Sequence, residues 1–315
     1  MSTANAKKYG KVALLMGGLS AEREISLISG KAVLEALRAA GVDVMPIDAG
    51  SDIAEVLARS KCDRVFNILH GGIGENGTVQ ALLDLIGLPY TGSGVLGCAL
   101  AMDKLRSKWI WKGVGLAVPE YMELRSATDC SVAVRELGLP LMVKPVFEGS
   151  SVGISKVERE SDMENAWRLA ARYGTVIAEK FISGAEYTAG ILAGEALPLI
   201  RLETPRAFYD YEAKYKDDKT RYHCPCGLSA SKEQEMQRIA LHAYAALGAS
   251  GWGRVDFMTD RDGRPWLIEA NTAPGMTDHS LVPMAARAAG IDFQALVLRI
   301  LDTSLDMKRG GVHGA

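Results

Sequence analysis

The strongest constraint on the fold is a repeated alternation of strand-like and helical segments in the first hundred residues. The apolar run Lys11–Met16 leads through two glycines into a helical pattern. Strand-like runs return at 42–47 and 64–69, with a second helical pattern, 53–58, between them. Because parallel strands need crossover helices, this order predicts an α/β unit with a doubly wound parallel sheet.

The size and charge of the chain narrow the possible partners. With 315 residues, of which 48% are hydrophobic and 23% charged, the chain is long enough for two or three domains with their own cores. The formal net charge is -2, so no basic excess is available to neutralise a nucleic-acid backbone. We therefore expect no nucleic-acid partner.

The cysteines and the apolar runs bear on where the protein works. Five scattered cysteines do not resemble a disulfide framework, and this is typical of a reducing compartment. The pair Cys224 and Cys226 has no second Cys/His pair at ligand spacing, which argues against zinc or redox chemistry. No apolar run approaches the ~20 residues of a membrane span. We expect a cytoplasmic protein without a membrane partner.

Residues 252–271 predict a β-hairpin whose two faces differ in chemistry. The dipeptide Asp262-Gly263 is typical of a two-residue type I′ turn, and we take it as the centre of the hairpin. Side chains alternate along each strand, so polar and apolar pairs fall on opposite faces. The predicted polar pairs are Asp256 with Glu269 and Arg254 with Asn271. The predicted apolar pairs are Val255 with Ala270 and Phe257 with Ile268.

The polar face of this hairpin is a candidate metal site. Two carboxylates on opposite strands, Asp256 and Glu269, repel each other unless a cation lies between them. Together with Asn271 they form an oxygen-rich set that suits Mg²⁺. The alternative is a solvated strand face whose acids pair with nearby lysines. Asn271 and Arg254 at these same pairs favour the metal site.

The segment 144–153 is a candidate phosphate-covering flap. Its small residues can present backbone N–H groups to an anion, and Ser150 and Ser151 add hydroxyl donors. It differs from a Walker loop in its spacing, and strands flank it on both sides. An ordinary Gly/Ser turn remains the alternative.

A second glycine-rich segment, 92–97, matches G-x-G-x-x-G and raises the possibility of a dinucleotide site. The residues before it make a poor buried strand, and no acid follows at ~20 residues to hold a ribose. We interpret these glycines as a connection into a helix that starts near Met102.

Two further residues lie at predicted strand ends. His70 follows the strand-like run 64–69, and Glu22 follows the first glycine turn. Open α/β sheets bind ligands at the carboxyl ends of their strands, so we expect both side chains at one edge of the sheet. A structural histidine and an acid that favours a helix N-terminus are the alternatives.

Taken in order, these segments resemble the D-alanine–D-alanine ligase family of the ATP-grasp superfamily. The resemblance covers nearly the whole chain, and it is carried by eight motifs, at 17–26, 70–77, 102–104, 144–153, 210–215, 253–256, 269–276 and 279–281. It implies three α/β domains: an N-terminal substrate-binding domain at 1–103, a central ATP-grasp domain at 104–184, and a C-terminal catalytic domain at 185–315.

The resemblance also implies a reaction and its ligands. Phosphoryl transfer from ATP to the carboxylate of one D-alanine would give an acyl phosphate, which the amine of a second D-alanine would attack. The implied cofactors are ATP and two Mg²⁺ ions, with Mn²⁺ as a substitute. The implied assembly is a homodimer. Tyr215 stands where relatives that make an ester carry Phe, which implies an amine nucleophile.

Site residues follow from the same motifs. The implied metal ligands are Asp256, Glu269 and Asn271. The implied ATP-binding residues are Lys104, Lys144, Ser151, Glu179, Lys180, Ile182 and Glu186. The implied catalytic residues are Glu22, Ser150 and Tyr215, which form one hydrogen-bonded set, and Arg254 with the Gly275 amide as oxyanion donors. The implied amino-acid contacts are His70, Lys214, Ser280 and the Leu281 amide.

Three other functions stay open at this stage. Another ATP-grasp carboxylate–amine ligase would use different amino acids. A dinucleotide-dependent oxidoreductase would be built on 92–97. A non-catalytic ATP-binding module would not need both the metal set and Arg254.

Overall fold

In the computed structural model, residues 6–204 and 220–305 are described, and their strands form three separate sheets. The first sheet is parallel, with the order β2-β1-β3. Its strands are β1 (Lys11–Met16), β2 (Asp43–Asp48) and β3 (Arg64–Asn67). The helices that follow these strands are α1 (Arg23–Ala39), α2 (Ile53–Ser60) and α3 (Thr78–Leu85).

The two faces of β1 contact different helices. Val12 and Leu14 belong to a core that includes Val33 and Leu37 of α1. Alternate residues of the same strand belong to a second core, which includes Ile53 of α2 and side chains of α3. Helices therefore cover both faces, as expected for a doubly wound sheet, and the predicted N-terminal fold is confirmed.

The second sheet is antiparallel, with the order β4-β7-β5-β6. Its strands are β4 (Tyr121–Leu124), β5 (Leu141–Pro145), β6 (Ser155–Val157) and β7 (Val176–Lys180). Four helices lie before or between these strands: α4 (Val95–Met102), α5 (Lys104–Gly113), α6 (Asp129–Leu137) and α7 (Met163–Ala170).

The third sheet has the path β11-β10-β8-β12-β13, with β9 paired to β8. Its strands are β8 (Glu186–Leu192), β9 (Glu195–Ala196), β10 (Ile200–Glu203), β11 (Arg221–His223), β12 (Trp252–Thr259) and β13 (Pro265–Asn271). The helices that accompany it are α8 (Ala230–Ala246), α9 (Leu281–Ala288) and α10 (Phe293–Asp302).

The predicted hairpin forms from β12 and β13, but its turn differs from the prediction. Gly263 donates its N–H to the Asp260 carbonyl at 3.0 Å and has φ of 76°, which makes a type I turn followed by a left-handed glycine. The Asp260 carboxylate accepts the Arg264 N–H at 2.9 Å and so fixes this longer loop. The predicted two-residue type I′ turn is wrong, because the Asp260 side chain organises a wider connection.

A β-bulge compensates for the longer loop. The predicted pairs of Arg254 with Asn271, Val255 with Ala270, and Asp256 with Glu269 are confirmed. Beyond Asp256 the register shifts, and Phe257 faces Leu267 instead of the predicted Ile268. The extra residue, Ile268, is only partly buried, like Glu269 beside it, whereas Leu267 and Ala270 are buried.

The glycine-rich segment 92–97 also differs in detail. It leads into α4, which begins at Val95, earlier than the helix start predicted near Met102. A new helix, α5, starts after Asp103, whose extended backbone separates the two helices and whose carboxylate accepts the Arg106 N–H at 2.9 Å. The prediction that these glycines lead into a helix is therefore confirmed. The helix begins at Val95, and the position near Met102 is instead the break between α4 and α5.

One hydrophobic core joins the first and last parts of the chain. Val33 and Leu37 of α1 pack in the same cluster as Leu296 and Val297 of α10 and Met276 of the preceding loop. Within the described residues, no single helix is long and apolar enough to cross a membrane. The two helices α9 and α10, which bend sharply against each other, reach that length and apolar composition only when they are counted as one segment.

Candidate active site

A cavity of about 430 Å³ lies between the second and third sheets. The strands β5 and β7 contribute one wall, and β10, β12 and β13 contribute the other. The segments 151–154 and 180–186 complete the lining. Six of the predicted ATP-binding residues lie in this lining: Lys144, Ser151, Glu179, Lys180, Ile182 and Glu186.

The bulge in β13 gives this cavity apolar as well as acidic side chains. Ile268 and Glu269 both line the cavity, together with Met258 of β12. Two adjacent residues of one strand can share a face only where a bulge interrupts the alternation. The cavity is therefore suited to a ligand with an apolar part next to a charged part.

The polar face of the hairpin gathers around the Asp256 carboxylate. Arg254 donates from Nε to Oδ1 and from NH2 to Oδ2, both at 2.8 Å. Asn271 donates its Nδ2–H to Oδ2 at 3.1 Å, and the buried Thr188 hydroxyl donates to Oδ1 at 2.6 Å. Thr188 faces Asp256 from β8, a pairing that sequence reasoning missed because β8 is distant in the chain.

The second carboxylate of this face has its own cation. Lys104, the first residue of α5, places Nζ at 3.2 Å from Glu269 Oε2 and donates to the Glu148 carbonyl at 2.7 Å. Each acid is thus paired with a basic side chain, as the solvated-face alternative expected. The surroundings are not those of a solvated face, because Asp256 and Lys104 are buried and the Glu269 side chain is only 18% exposed.

Among the described residues, no group of three or more His, Cys, Asp or Glu has an arrangement suited to a metal ion. The predicted ligand set contains two acids, and its third member, Asn271, is an amide. Its donor chemistry is nevertheless that of a hard-cation site, with carboxylate and amide oxygens on a rigid hairpin. The assignment of Asp256, Glu269 and Asn271 as metal ligands stays a prediction.

Behind the cavity, Glu179 lies between two lysines in the interior. Its carboxylate contacts Nζ of Lys144 through Oε1 and Nζ of Lys108 through Oε2, the latter at 2.8 Å. Burial raises the pKa of Glu179, but the two cations outweigh it, so the pKa lies below its usual value. Sequence reasoning missed Lys108, although its spacing of four residues from Lys104 places both on one face of α5.

A smaller cavity of about 160 Å³ lies at the edge of the parallel sheet. It is lined by the glycine-rich segments 17–20 and 69–74, which follow β1 and β3. His70 borders this cavity. As predicted, the carboxyl ends of β1 and β3 lie at the same edge of the sheet, because the two strands run parallel to each other.

Glu22 connects this edge to the flap. Ser150 donates its hydroxyl to Glu22 Oε1, across 128 residues of sequence. Ser150 and Ser151 have φ of 49° and 61°, the left-handed region that L-residues seldom adopt. The structure thus brings together two of the three predicted members of the catalytic set. Lys214 and Tyr215, predicted to lie nearby, fall outside the described residues.

His70 is held at both ring nitrogens. Because the Ala273 carbonyl can only accept, the contact at 2.8 Å makes Nδ1 the protonated nitrogen. Nε2 then accepts from the Ser29 hydroxyl at 3.1 Å, and Ser29 accepts the Met276 N–H at 3.1 Å. Burial lowers the pKa of His70, so the ring is neutral near pH 7. The ring fixes the 273–276 loop against α1, and its predicted contact with a substrate carboxylate stays a prediction.

Glu75 is a second acid that sequence reasoning did not single out. Its carboxylate accepts the Gly71 N–H at 2.7 Å and the Ala273 N–H at 3.2 Å, so it ties the small cavity to the loop after β13. Burial, with the negative charge of Glu22 nearby, raises the pKa of Glu75 to about 8.

The loop between β13 and α9 holds the remaining predicted residues. A Cβ at Gly275 would lie 2.8 Å from Ser280 Oγ, so a larger residue there would displace that hydroxyl. Ser280 accepts the Thr277 N–H at 2.9 Å and precedes α9, which leaves the Leu281 amide in the first turn of that helix. Amide donors of this kind can bind a carboxylate.

Comparisons with known proteins agree with this architecture. The family model described as D-ala D-ala ligase C-terminus matches residues 110–302, and the model described as D-ala D-ala ligase N-terminus matches residues 48–93. A D-alanine--D-alanine ligase of Methylococcus capsulatus is 57% identical over 300 residues, which is 95% of this chain and 97% of that protein.

Solved structures show the same fold. The D-alanine--D-alanine ligase of Bacillus anthracis complexed with ATP has a TM-score of 0.80 and 32% identity, over 94% of this chain and 97% of that one. The VanG D-Ala:D-Ser ligase of Enterococcus faecalis has a TM-score of 0.81 and 29% identity, over 94% of this chain and 99% of that one. The identity and the coverage place the chain in the D-alanine–D-alanine ligase family.

Proposed function

We propose that this enzyme joins two D-alanine molecules into D-alanyl-D-alanine at the expense of ATP, for peptidoglycan precursor synthesis. The observation that carries the proposal is the cavity between the second and third sheets, whose lining includes Glu269, the cross-strand partner of Asp256 on the polar face of the hairpin. In this cavity, apolar side chains that could contact a base lie next to charged side chains that could bind phosphates. The membership of the chain in the D-alanine–D-alanine ligase family supports the same use of the cavity.

ATP would occupy this cavity. Glu179, Lys180 and Ile182 would meet the adenine, and Glu186 the ribose. Lys144 and Lys104 would contact the phosphates under the flap, where Ser151 supplies a hydroxyl. The support is that six of these residues line one cavity, while Lys104 reaches Glu148 of the flap with its Nζ.

Asp256, Glu269 and Asn271 would hold two Mg²⁺ ions, or Mn²⁺ in their place. When bound, these ions neutralise the phosphate charge that develops during phosphoryl transfer. Arg254 and Lys104 now neutralise the same carboxylates.

The amino acids would lie between the two cavities. Glu22 and Ser150 would stand with Tyr215 beside the first D-alanine, with His70 near its carboxylate. Lys214, Ser280 and the Leu281 amide would hold the carboxylate of the second. Arg254 and the Gly275 amide would donate to the oxyanion, as positioned donors whose orientation needs no rearrangement during the reaction.

The reaction implied is a two-step ligation. A carboxylate oxygen of the first D-alanine bonds to the γ-phosphorus, and ADP leaves. The amine of the second D-alanine then bonds to the acyl carbon of the resulting acyl phosphate, loses a proton, and phosphate leaves. Both steps concentrate negative oxygen, which explains the local excess of lysine, arginine and amide donors.

The proposal also covers the domain boundaries, the assembly and the cellular location of the protein. The domain boundaries 1–103, 104–184 and 185–315 each enclose one of the three sheets. A homodimer and a cytoplasmic location are proposed from the family and from the scattered cysteines.

The experiment that tests the function is ADP release against a panel of amino acids. We expect D-alanine to give the fastest release, with one D-alanyl-D-alanine per ADP. Faster release with D-serine or an L-amino acid as second substrate would favour another ligase. Binding of NADH without protection by ATP and Mg²⁺ against unfolding would favour the oxidoreductase built on 92–97.

A further inference from the structure

Lys108 is a buried cation that no step of the proposed reaction uses. Its side chain is fully buried, and it lies on α5 one turn after Lys104. Among the described residues, Glu179 is its one ion-pair partner, with Nζ 2.8 Å from Oε2. The ring of Tyr121 lies farther away, 6.0 Å from Nζ to its centroid. A buried lysine is costly unless its charge is needed or compensated.

Lys108 cannot touch a ligand in the large cavity. Glu179 and Lys144 line that cavity, whereas Lys108 lies behind Glu179 and does not line it. Nζ of Lys108 lies 2.8 Å from Oε2 of Glu179, on the side of the carboxylate away from Lys144. Any effect on a ligand must pass through Glu179 and Lys144.

The net charge of Lys108, Glu179 and Lys144 together determines how strongly Lys144 can attract a phosphate. Two lysines and one glutamate leave a net charge of +1 in a nearly dry environment. Without Lys108, the single negative charge of Glu179 would cancel that of Lys144. With Lys108, one carboxylate oxygen is compensated from behind, and Lys144 keeps a positive charge for the cavity.

We propose that Lys108 is a positioning residue for nucleotide binding: by compensating Glu179 from the protein interior, it leaves Lys144 electrostatically available to the phosphates of ATP. This inference rests on the proposed use of the large cavity for ATP. It assigns no contact between Lys108 and the nucleotide.

The proposal predicts a pH dependence in the unmodified enzyme. Burial lowers the pKa of Lys108 to about 8, against the opposing effect of Glu179. The charged groups that face it are Glu179 of β7, Lys144 of β5 and Lys104 of its own helix. As pH rises through about 8, Lys108 loses its charge in the free enzyme, so ATP should bind more weakly.

The test compares ATP binding by the full-length Lys108→Met variant with that of the unmodified enzyme, by calorimetric titration with Mg²⁺ present. Methionine keeps most of the buried volume and removes the charge. We expect the Kd for ATP to rise about tenfold, while the KM for D-alanine stays within twofold. Lys112→Met is the matched control, because Lys112 is exposed on the same helix, and its Kd should not change.

A second variant separates charge from packing. Because Glu179 is itself proposed to meet the adenine, Lys108→Met is also introduced into Glu179→Gln; no carboxylate needs compensation in that background, so the rise in the Kd for ATP caused by Lys108→Met should be smaller there. The unmodified enzyme should bind ATP more weakly at pH 9 than at pH 7. This difference in the Kd for ATP between the two pH values should be smaller in Lys108→Met. Glu75 also has a pKa of about 8, so the same pH series is run in Glu75→Gln, which keeps Lys108 and tests the proposal even where Lys108→Met does not fold.

Two results would overturn the proposal. One is an ATP Kd in Lys108→Met within twofold of the unmodified value. The other is an equal loss of ATP and D-alanine affinity that Glu179→Gln does not relieve, which would indicate a general packing defect. ATP binding and dipeptide synthesis are measured separately. A failure to make D-alanyl-D-alanine with normal ATP binding would therefore count against the proposed function and not against Lys108.

Discussion

Arg254 and Asp256, two residues apart on β12, are joined by two hydrogen bonds, each 2.8 Å long. Side chains two positions apart on a strand share a face, so the pairing follows from the local backbone. It couples the predicted oxyanion donor to the predicted metal ligand. The guanidinium donates to both carboxylate oxygens of Asp256, the atoms that would bind a cation.

The first prediction concerns Arg254. Arg254→Ala should reduce turnover by about two to three orders of magnitude, because loss of one oxyanion donor typically costs ~2.7–4 kcal/mol of transition-state stabilisation. Arg254→Lys keeps the charge but not the two-pronged geometry, and should recover only part of the rate. Steady-state ADP release measures both. Near-normal turnover in Arg254→Ala would refute the assignment.

The second prediction concerns the bulge residue Ile268. Ile268→Ala removes apolar surface from the wall of the large cavity, and we expect the KM for ATP to rise about tenfold with little change in the KM for D-alanine. Leu85→Ala is a matched control, because Leu85 is 86% exposed on α3 and far in sequence from the cavity. An unchanged KM for ATP would mean that the adenine does not lie against Ile268.

This bulge also shows where sequence reasoning stops. Alternation along two strands was enough to predict the pairs of Arg254 with Asn271 and Asp256 with Glu269, and these pairs hold. The same rule put Ile268 on the apolar face, because it assumes an uninterrupted ladder. The bulge depends on how Asp260 organises the turn, a side-chain to backbone interaction that alternation does not contain.

Contacts between distant segments were harder still to predict. Thr188 donates to Asp256, and Glu75 accepts from Ala273 across 198 residues, yet Thr188 lies outside every motif and Glu75, within the motif 70–77, was given no role. Glu22 and Ser150 were linked through the family resemblance, and the structure joins them by a hydrogen bond. Local periodicity predicts elements well, whereas these pairs depend on how the three sheets pack.

The third prediction concerns the hydrogen bond between Ser150 and Glu22. Ser150→Ala removes the hydroxyl that reaches Glu22, and we expect kcat/KM for D-alanine to fall about tenfold or more. Ser150→Gly also removes the hydroxyl but suits the left-handed backbone at φ of 49°. Similar losses in both variants would assign the effect to the hydroxyl. Normal activity in Ser150→Gly alone would assign it to the backbone of the flap.

The fourth prediction concerns Glu75 and the stability of the folded chain. Because burial and Glu22 raise the pKa of Glu75 to about 8, the folded state keeps a proton that the unfolded chain releases near pH 4.5. Between these two values the folded state binds more protons. The free energy of unfolding contributed by this group is therefore lost as pH rises from about 5 to 8.

Glu75→Gln cannot ionise, so it removes this dependence; its single carbonyl oxygen keeps an acceptor for one of the two amides, and the loss of the other hydrogen bond does not vary with pH. Urea unfolding at pH 5, 6, 7 and 8 should show the variant gaining stability relative to the unmodified enzyme as pH rises. Glu35→Gln, on the exposed face of α1, should show no such trend. A constant difference between Glu75→Gln and the unmodified enzyme would place the pKa of Glu75 near its ordinary value. The carboxylate would then be charged when it receives the two amides, and the connection it makes between the two halves of the site would strengthen rather than weaken above pH 5.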